Sequence, residues 1–142
     1  MTDNFATIVL LVGADAALLE GLAQSLSARG YATHVATGLQ EAQERAASGV
    51  PLVAVIEREL AAEAPGKALG IPLAPGGALV LFHKRAGDVA MLAPTVQRAL
   101  LADLALPLER HRLLALVQHV EERARATGRR FRDTPSPEHM AR

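Results

Sequence analysis

Three short runs of apolar residues constrain the fold of this chain more strongly than any other feature of its sequence. They cover residues 7–12, 52–56 and 78–82. Runs of this length with so few polar residues are typical of strands that are buried on both faces of a sheet. Both faces are covered when helices connect parallel strands, so these runs predict an α/β protein.

Five predicted strands alternate with helical segments along the chain. The two further strands, at residues 31–36 and 104–106, are more polar or shorter than the others. Helices are predicted at residues 15–29, 37–49, 87–101 and 109–126. Their apolar residues recur every three to four positions. Asp15, a capping box at residues 37–40 and Gly128 mark helix ends.

The helix between the third and fourth strands is predicted to be short or irregular. The segment from residue 61 to residue 77 contains Pro65, Gly66, Gly70, Pro72, Pro75, Gly76 and Gly77. Proline removes a backbone donor and glycine disfavours a helix interior, so we expect a single short helical turn around residues 59–64.

The composition excludes several classes of protein and site. The chain has no cysteine, which excludes disulfides and zinc–thiolate sites. Its formal net charge is zero, so no general electrostatic attraction to nucleic acid or to a membrane is expected. The longest apolar run, residues 8–12, is far too short to span a bilayer. We therefore expect a cytoplasmic protein that does not insert into membranes.

The C-terminal part of the chain is more basic than the rest. Residues 108–142 hold 8 Lys and Arg against 5 Asp and Glu. We predict a folded domain over residues 1–128 and a basic, disordered tail over residues 129–142. Arginines near the C-terminal end of a helix also suit its dipole, so nucleic acid is not expected among the partners.

Residues that follow the predicted strands are the candidates for a functional site, because ligands of parallel sheets bind at the carboxyl ends of the strands. These residues are Gly13, Ala14, Asp15, Glu57, His83, Leu106 and Pro107. Glu57 and His83 follow neighbouring strands, so we expect them to lie together and the carboxylate to raise the pKa of the imidazole.

The arrangement of these strand ends resembles that of response-regulator receiver domains. The segments "IVLLVGAD", "PLVAVIERELA", "ALVLFHK" and "ADLALPLERHRLLALV" resemble the family's "ILVVDDD", "PDLVLLDLRLP", "PVIVLTA" and "ADDYLTKPFDPEELLARI" over residues 6–126. The resemblance implies a three-layer, flavodoxin-like (βα)5 fold with a five-stranded parallel sheet in the order 2-1-3-4-5. It also implies a cis peptide bond before Pro107, which is common in the family.

Receiver domains bind Mg²⁺ through an acidic pair after the first strand and the acceptor Asp after the third. Carried over to this chain, the acidic pair falls on Gly13 and Ala14, which have no carboxylate. Asp15 occupies the family's third, weaker acidic position, and Glu57 occupies the acceptor position. One carboxylate beside Glu57 makes a poor Mg²⁺ site, because this ion requires several oxygen ligands.

The remaining family positions are also substituted. The Thr or Ser that holds the phosphoryl group falls on His83, and the Lys falls on Leu106. The aromatic residue that reports the signalling state falls on Asp103. Phosphoryl transfer needs metal and cation to neutralise the charge that develops. The resemblance therefore implies a pseudo-receiver with no metal, no cofactor, no enzymatic activity and no phosphorylation.

Such a domain would act through contact with signalling proteins, or as a homodimer. Receivers generally use the face formed by the fourth helix, the fifth strand and the last helix. Here that face includes residues 88–98 and the outer side of residues 109–125. The residues expected to form ion pairs across it are Arg98, Asp103, Arg110 and Glu121.

Two alternatives remain open. The strand-end pocket around Gly13, Glu57 and His83 could serve a small-molecule or pH sensor. The chain could also be a phosphorylatable receiver with an unconventional acceptor. Glu57 itself is either a permanent mimic of a phosphorylated Asp or a polar residue paired with Arg58 or His83.

Overall fold

The structure, a computed structural model, describes residues 7–84 and 91–133, with side chains as far as Thr127. Its strands are β1 (Ile8–Val12), β2 (Ala32–Ala36), β3 (Val53–Glu57), β4 (Ala78–His83) and β5 (Leu100–Ala105). Its helices are α1 (Ala16–Ser27), α2 (Leu39–Ser48), α3 (Arg58–Glu63), α4 (Pro65–Leu69), α5 (Pro94–Ala99) and α6 (Arg110–Asp133). The strands form one parallel sheet in the order β2-β1-β3-β4-β5. The predicted fold class and strand order are thereby confirmed.

Apolar side chains cover both faces of the sheet, as the apolar strands require. Val9 and Leu11 of β1 pack in a cluster with α1 and α6. Leu10 and Val12 of the same strand pack in a second cluster with α2, α3, α4 and α5. The alternation follows from the two-residue period of a strand and produces a three-layer arrangement.

The caps of the first two helices differ in how well the sequence predicted them. Asp15 caps α1 as expected, since its Oδ1 accepts a hydrogen bond from Leu18 N at 3.1 Å. The capping box of α2 was assigned to residues 37–40, which is wrong. Glu41 Oε1 accepts from Thr37 N at 2.9 Å, because Gly38 is the cap residue and Glu41 is the third residue of the helix.

The connection between β3 and β4 contains two short helices instead of the single turn predicted around residues 59–64. Pro65 is the first residue of α4, a position where the missing backbone donor costs nothing. The expectation of a short or irregular helical segment is therefore confirmed, although its helical content was underestimated.

The prediction for β5 was wrong at its beginning. This strand was placed at residues 104–106, but it starts at Leu100, immediately after α5, and Leu106 lies beyond its end. The helix predicted at residues 87–101 is described only as α5, which starts at Pro94. Leu100 pairs with Leu79 of β4, so sheet pairing replaced the last turn of the predicted helix.

The last helix is longer than predicted. α6 continues through Gly128 to Asp133, so Gly128 does not end it. A glycine inside a helix costs only about 1 kcal/mol, which the rest of a 24-residue helix can offset. The domain boundary at residue 128 stays a prediction, and residues 134–142 of the predicted tail lie outside the described residues. No helix within the described ranges is both long and apolar enough to cross a membrane.

Candidate functional site

The carboxyl ends of four strands bring the predicted site residues to one edge of the sheet. Gly13 follows β1, Glu57 ends β3 and His83 ends β4. Leu106 and Pro107 follow β5. Parallel pairing aligns these ends, as Val12 lies opposite Ile56 and His83 lies opposite Ala105.

Glu57 is buried at this edge. The residue is 6% exposed, and it is the only charged residue that is buried within the described part of the chain. Its Oε1 accepts a hydrogen bond from the backbone N of Ala14 at 2.9 Å. The carboxylate at the acceptor position is therefore turned toward the β1–α1 loop rather than toward solvent.

Gly13 leaves the space that Glu57 occupies. A Cβ atom at position 13 would lie 3.2 Å from Glu57 Oε1 and 3.1 Å from Phe82 Cζ, closer than ordinary carbon contacts. The glycine is held in place by a hydrogen bond from its N to Ala36 O at 3.1 Å. An acidic side chain at position 13 would therefore require Glu57 and Phe82 to move.

Asp103 contacts two basic side chains on the other face of the same edge. Its Oδ2 pairs with Arg58 Nη1, and its Oδ1 lies 3.1 Å from His83 Nδ1. The three side chains are only 16–25% exposed. Arg58 begins α3 and His83 ends β4, so the Asp103 carboxylate connects β5 to the start of α3 and to the end of β4.

The structure does not place Glu57 and His83 in the contact that was expected. Glu57 lies opposite Phe82 in the β3–β4 pairing. His83 follows Phe82, so its side chain leaves the sheet on the opposite face. The structure pairs His83 with Asp103 instead. The sequence shows which residues of each strand share a face, but it does not show the register between β3 and β4.

Asp15 is engaged both as a cap and as an ion-pair partner. Its Oδ2 lies 3.5 Å from Lys84 Nζ. The hydrogen bond from Leu18 N lowers the pKa of Asp15 below its ordinary value, and the charge of Lys84 lowers it further. No group of three or more His, Asp or Glu side chains that could hold a metal ion occurs in residues 7–84 and 91–127.

Leu106 adds an apolar side chain at the position where the family has Lys. Leu106 is fully buried, and its N donates to His83 O at 2.9 Å. The peptide bond between Leu106 and Pro107 is cis, as expected.

The four residues predicted to form ion pairs with a partner are divided by the structure. Arg98 on α5 and Arg110 on α6 are exposed. Asp103 is bound to Arg58 and His83 as described above, and Glu121 accepts from Thr7 Oγ1 and pairs with Arg125 at 3.2 Å. The two acidic residues are therefore occupied within the chain, which sequence reasoning missed. Residues 88–90 of the predicted face lie outside the described residues.

Comparison with known proteins identifies the fold. No family model matches the sequence, and no curated protein matches it. A CheY-like receiver domain from Methylobacillus flagellatus is 13% identical, with a TM-score of 0.66 over 82% of this chain and 99% of that one. The receiver domain of a putative Luxo repressor protein from Vibrio parahaemolyticus is 17% identical, with a TM-score of 0.67 over 87% and 96%.

A third similar structure is the receiver domain of an HD domain-containing protein from Pseudomonas fluorescens Pf-5. It is 18% identical, with a TM-score of 0.63 over 92% of this chain and 97% of that one. Each of these receivers is matched over nearly its whole length. The chain therefore has the fold of CheY-like response-regulator receiver domains.

Proposed function

We propose that this chain is a signalling module of the response-regulator type that is not phosphorylated, has no enzymatic activity and acts by binding other proteins. The burial of Glu57 against the β1–α1 loop is the observation that carries the proposal. The similarity of its fold to receiver domains supports the signalling role.

Phosphorylation requires an accessible carboxylate oxygen and positive charge around the transferred group. Glu57 Oε1 is already bonded to Ala14 N, and the residue is almost inaccessible. Leu106 offers no cation, and Lys84 is paired with Asp15. A phosphoryl group at Glu57 would have to displace the loop and would find little compensating charge there.

Incubation with acetyl phosphate and Mg²⁺, followed by intact mass measurement, tests this part of the proposal. A receiver domain with a complete acidic pair serves as the positive control. We expect no mass increase for this chain under conditions that phosphorylate the control. Addition of a single phosphate would support the alternative of an unconventional acceptor.

The face formed by α5, β5 and α6 is the proposed contact surface. It presents the exposed cations Arg98 and Arg110, together with Leu101, which is 48% exposed. Because Asp103 and Glu121 are engaged internally, this surface lacks the acidic residues that were expected to balance the cations. A signalling protein with an acidic surface, or an acidic patch on a second copy, suits this charge.

Charge reversal on this face tests whether it is the contact surface. Arg98→Glu and Arg110→Glu should weaken self-association or the binding of a signalling partner, measured by sedimentation velocity. Arg29→Glu changes the charge by the same amount at the exposed end of α1 and is the matched control. Equal association of all three variants and the wild type would count against this face.

A further inference from the structure

A groove beside the first half of β5 has an apolar end. This part is a cleft of about 310 Å³ between α4, α5 and the strands β4 and β5. The 11 described residues that line it are all Ala, Gly, Ile or Leu, so none of them contributes a charged or polar side chain. Leu69 and Leu101 at its margin are 38% and 48% exposed. The cleft therefore offers apolar surface that the described residues leave uncovered.

The other end of the groove is basic. A second cleft of about 220 Å³ shares Gly77, Ala78 and Leu101 with the first and extends to α6. His119 and Arg123 line it. The two clefts therefore adjoin at these three residues, which places the two basic side chains next to the apolar cleft.

Small residues and short helices explain why the groove is open. α4 and α5 have only 5 and 6 residues, and the described residues leave the cleft beside the start of β4 and β5 open. Gly77, which lines both clefts, is packed against backbone, and a Cβ there would lie 2.5 Å from Leu52 O and 2.8 Å from Ala74 O. The groove thus follows from the backbone packing and not from one side-chain rotamer.

The charge of the groove favours an anion. Among the residues whose side chains the structure describes, none that lines either cleft is acidic. Across the part of the chain whose side chains are described, no carboxylate lies within ion-pair distance of Arg123. An anion placed between Arg123 and His119 would meet the guanidinium of Arg123 without displacing an ion-pair partner among the described side chains.

We propose that this groove binds an amphiphilic carboxylate, with its hydrocarbon chain in the apolar cleft and its carboxylate at Arg123 and His119. Pockets for small ligands commonly combine a volume of this order with mostly apolar walls and a few polar groups that fix the orientation. One apolar cleft next to one guanidinium that has no carboxylate partner among the described side chains matches one unbranched chain with one acidic head. This site is separate from the strand-end residues and does not depend on the proposed function.

Titration with decanoate below its micellar concentration, followed by amide NMR, tests the proposal on the full chain. Saturable shifts are expected at Leu69, Ala99, Leu101 and Arg123. Affinity should rise about fourfold per methylene from octanoate through nonanoate to decanoate, since each buried CH₂ adds a similar free energy. Decylammonium, which has the same chain and the opposite charge, should not bind there.

Two variants and a control separate the contributions of charge and apolar contact. Arg123→Gln should weaken decanoate binding about tenfold, because a charge-assisted hydrogen bond is lost. Leu101→Glu should abolish it, and Arg29→Gln, in the turn after α1, should leave it unchanged. If Leu101→Glu fails to fold, Arg123→Gln decides the outcome alone.

Several results would overturn the proposal. These are equal binding of decylammonium, undiminished binding by Arg123→Gln, or decanoate shifts confined to another surface. Groove shifts that depend on protein concentration without decanoate would instead assign the groove to a second copy of the chain.

Discussion

Replacing Gly13 with alanine tests whether the buried carboxylate of Glu57 and the missing side chain at position 13 depend on each other. The added Cβ would lie 3.1 Å from Phe82 Cζ and 3.2 Å from Glu57 Oε1. Overpacking of this kind costs about 1–3 kcal/mol. Gly13 is not among the residues with positive φ, so alanine adopts its backbone conformation without strain.

The net effect follows from two opposing contributions. Replacing glycine with alanine reduces the entropy of the unfolded chain and stabilises the fold by about 0.4–1 kcal/mol. Subtraction leaves a net loss of about 0–2.6 kcal/mol, so Gly13→Ala should lower the free energy of unfolding by roughly 1 kcal/mol. Gly21 in α1 provides the control, because a Cβ there meets nothing within 4 Å. Gly21→Ala should stabilise the protein by about 1 kcal/mol.

Removing the Glu57 carboxylate should change the cost of filling position 13. Glu57→Ala alone should destabilise the fold by about 1–3 kcal/mol, since Ala14 N loses its acceptor. In that background Gly13→Ala loses its close contact with the carboxylate oxygen and keeps the one with Phe82, while the Cβ of residue 57, at 3.6 Å, is at an ordinary contact distance. We therefore expect the cost of Gly13→Ala to fall by about 1 kcal/mol or more in the double variant.

Urea unfolding of the four proteins measures this coupling, provided that the dependence on denaturant is the same for all of them. Independent sites add within about 0.3–0.5 kcal/mol. A coupling free energy inside that range would show that Glu57 does not fill the space at Gly13. The argument against phosphorylation would then lose its structural basis.

Three further predictions concern other positions. Gly77→Ala should destabilise the fold by about 2 kcal/mol or more, because the added Cβ would lie 2.5 Å from Leu52 O. Its Tm should therefore be lower than that of Gly13→Ala. A smaller effect would contradict the packing described at Gly77. The backbone N–H of Ala105, followed by a neighbouring guanidinium, lowers the pKa of Glu109 below its ordinary value of 4.5. Its contribution to stability is thus present above pH 4.5 and lost as the pH falls through the folded-state pKa, so urea unfolding of Glu109→Gln should show a shallower acid dependence. Burial, followed by the Glu121 carboxylate, raises the pKa of Tyr31 above 10.0, so stability falls as the pH rises past this value. Tyr31 is the only tyrosine and the chain lacks tryptophan, so phenolate absorbance should show a midpoint above 10.0 that decreases in Glu121→Gln.

The fold could be predicted because its buried strands have simple patterns. β1 and β3 are continuous apolar runs, and a strand of this kind has few alternatives in a chain that also contains amphipathic helices. β5 was misplaced because Leu100 and Leu101 continue the periodicity of the preceding helix. Only pairing with β4 distinguishes the two structures, and that pairing is a long-range property.

The site could be predicted in its position but not in its contacts. Parallel strands bring their carboxyl ends to one edge, so the sequence placed Gly13, Glu57 and His83 there correctly. Which side chains meet depends on register and on the face that each side chain leaves. The bridge between Asp103 and Arg58 spans 45 positions of sequence, and no local pattern announces it.

The direct junction of β3 and α3 has a consequence for the motions of this edge. Glu57 and Arg58 are consecutive, yet one is bonded to the loop after β1 and the other to a residue of β5. The junction of β3 and α3 is thus bonded to the loop after β1 on one side and to β5 on the other. Loops at strand ends commonly open locally at a low free-energy cost, and their amides then exchange their hydrogens quickly. Here the amide of Ala14 cannot exchange unless its bond to Glu57 breaks, so its protection should approach that of the central strands.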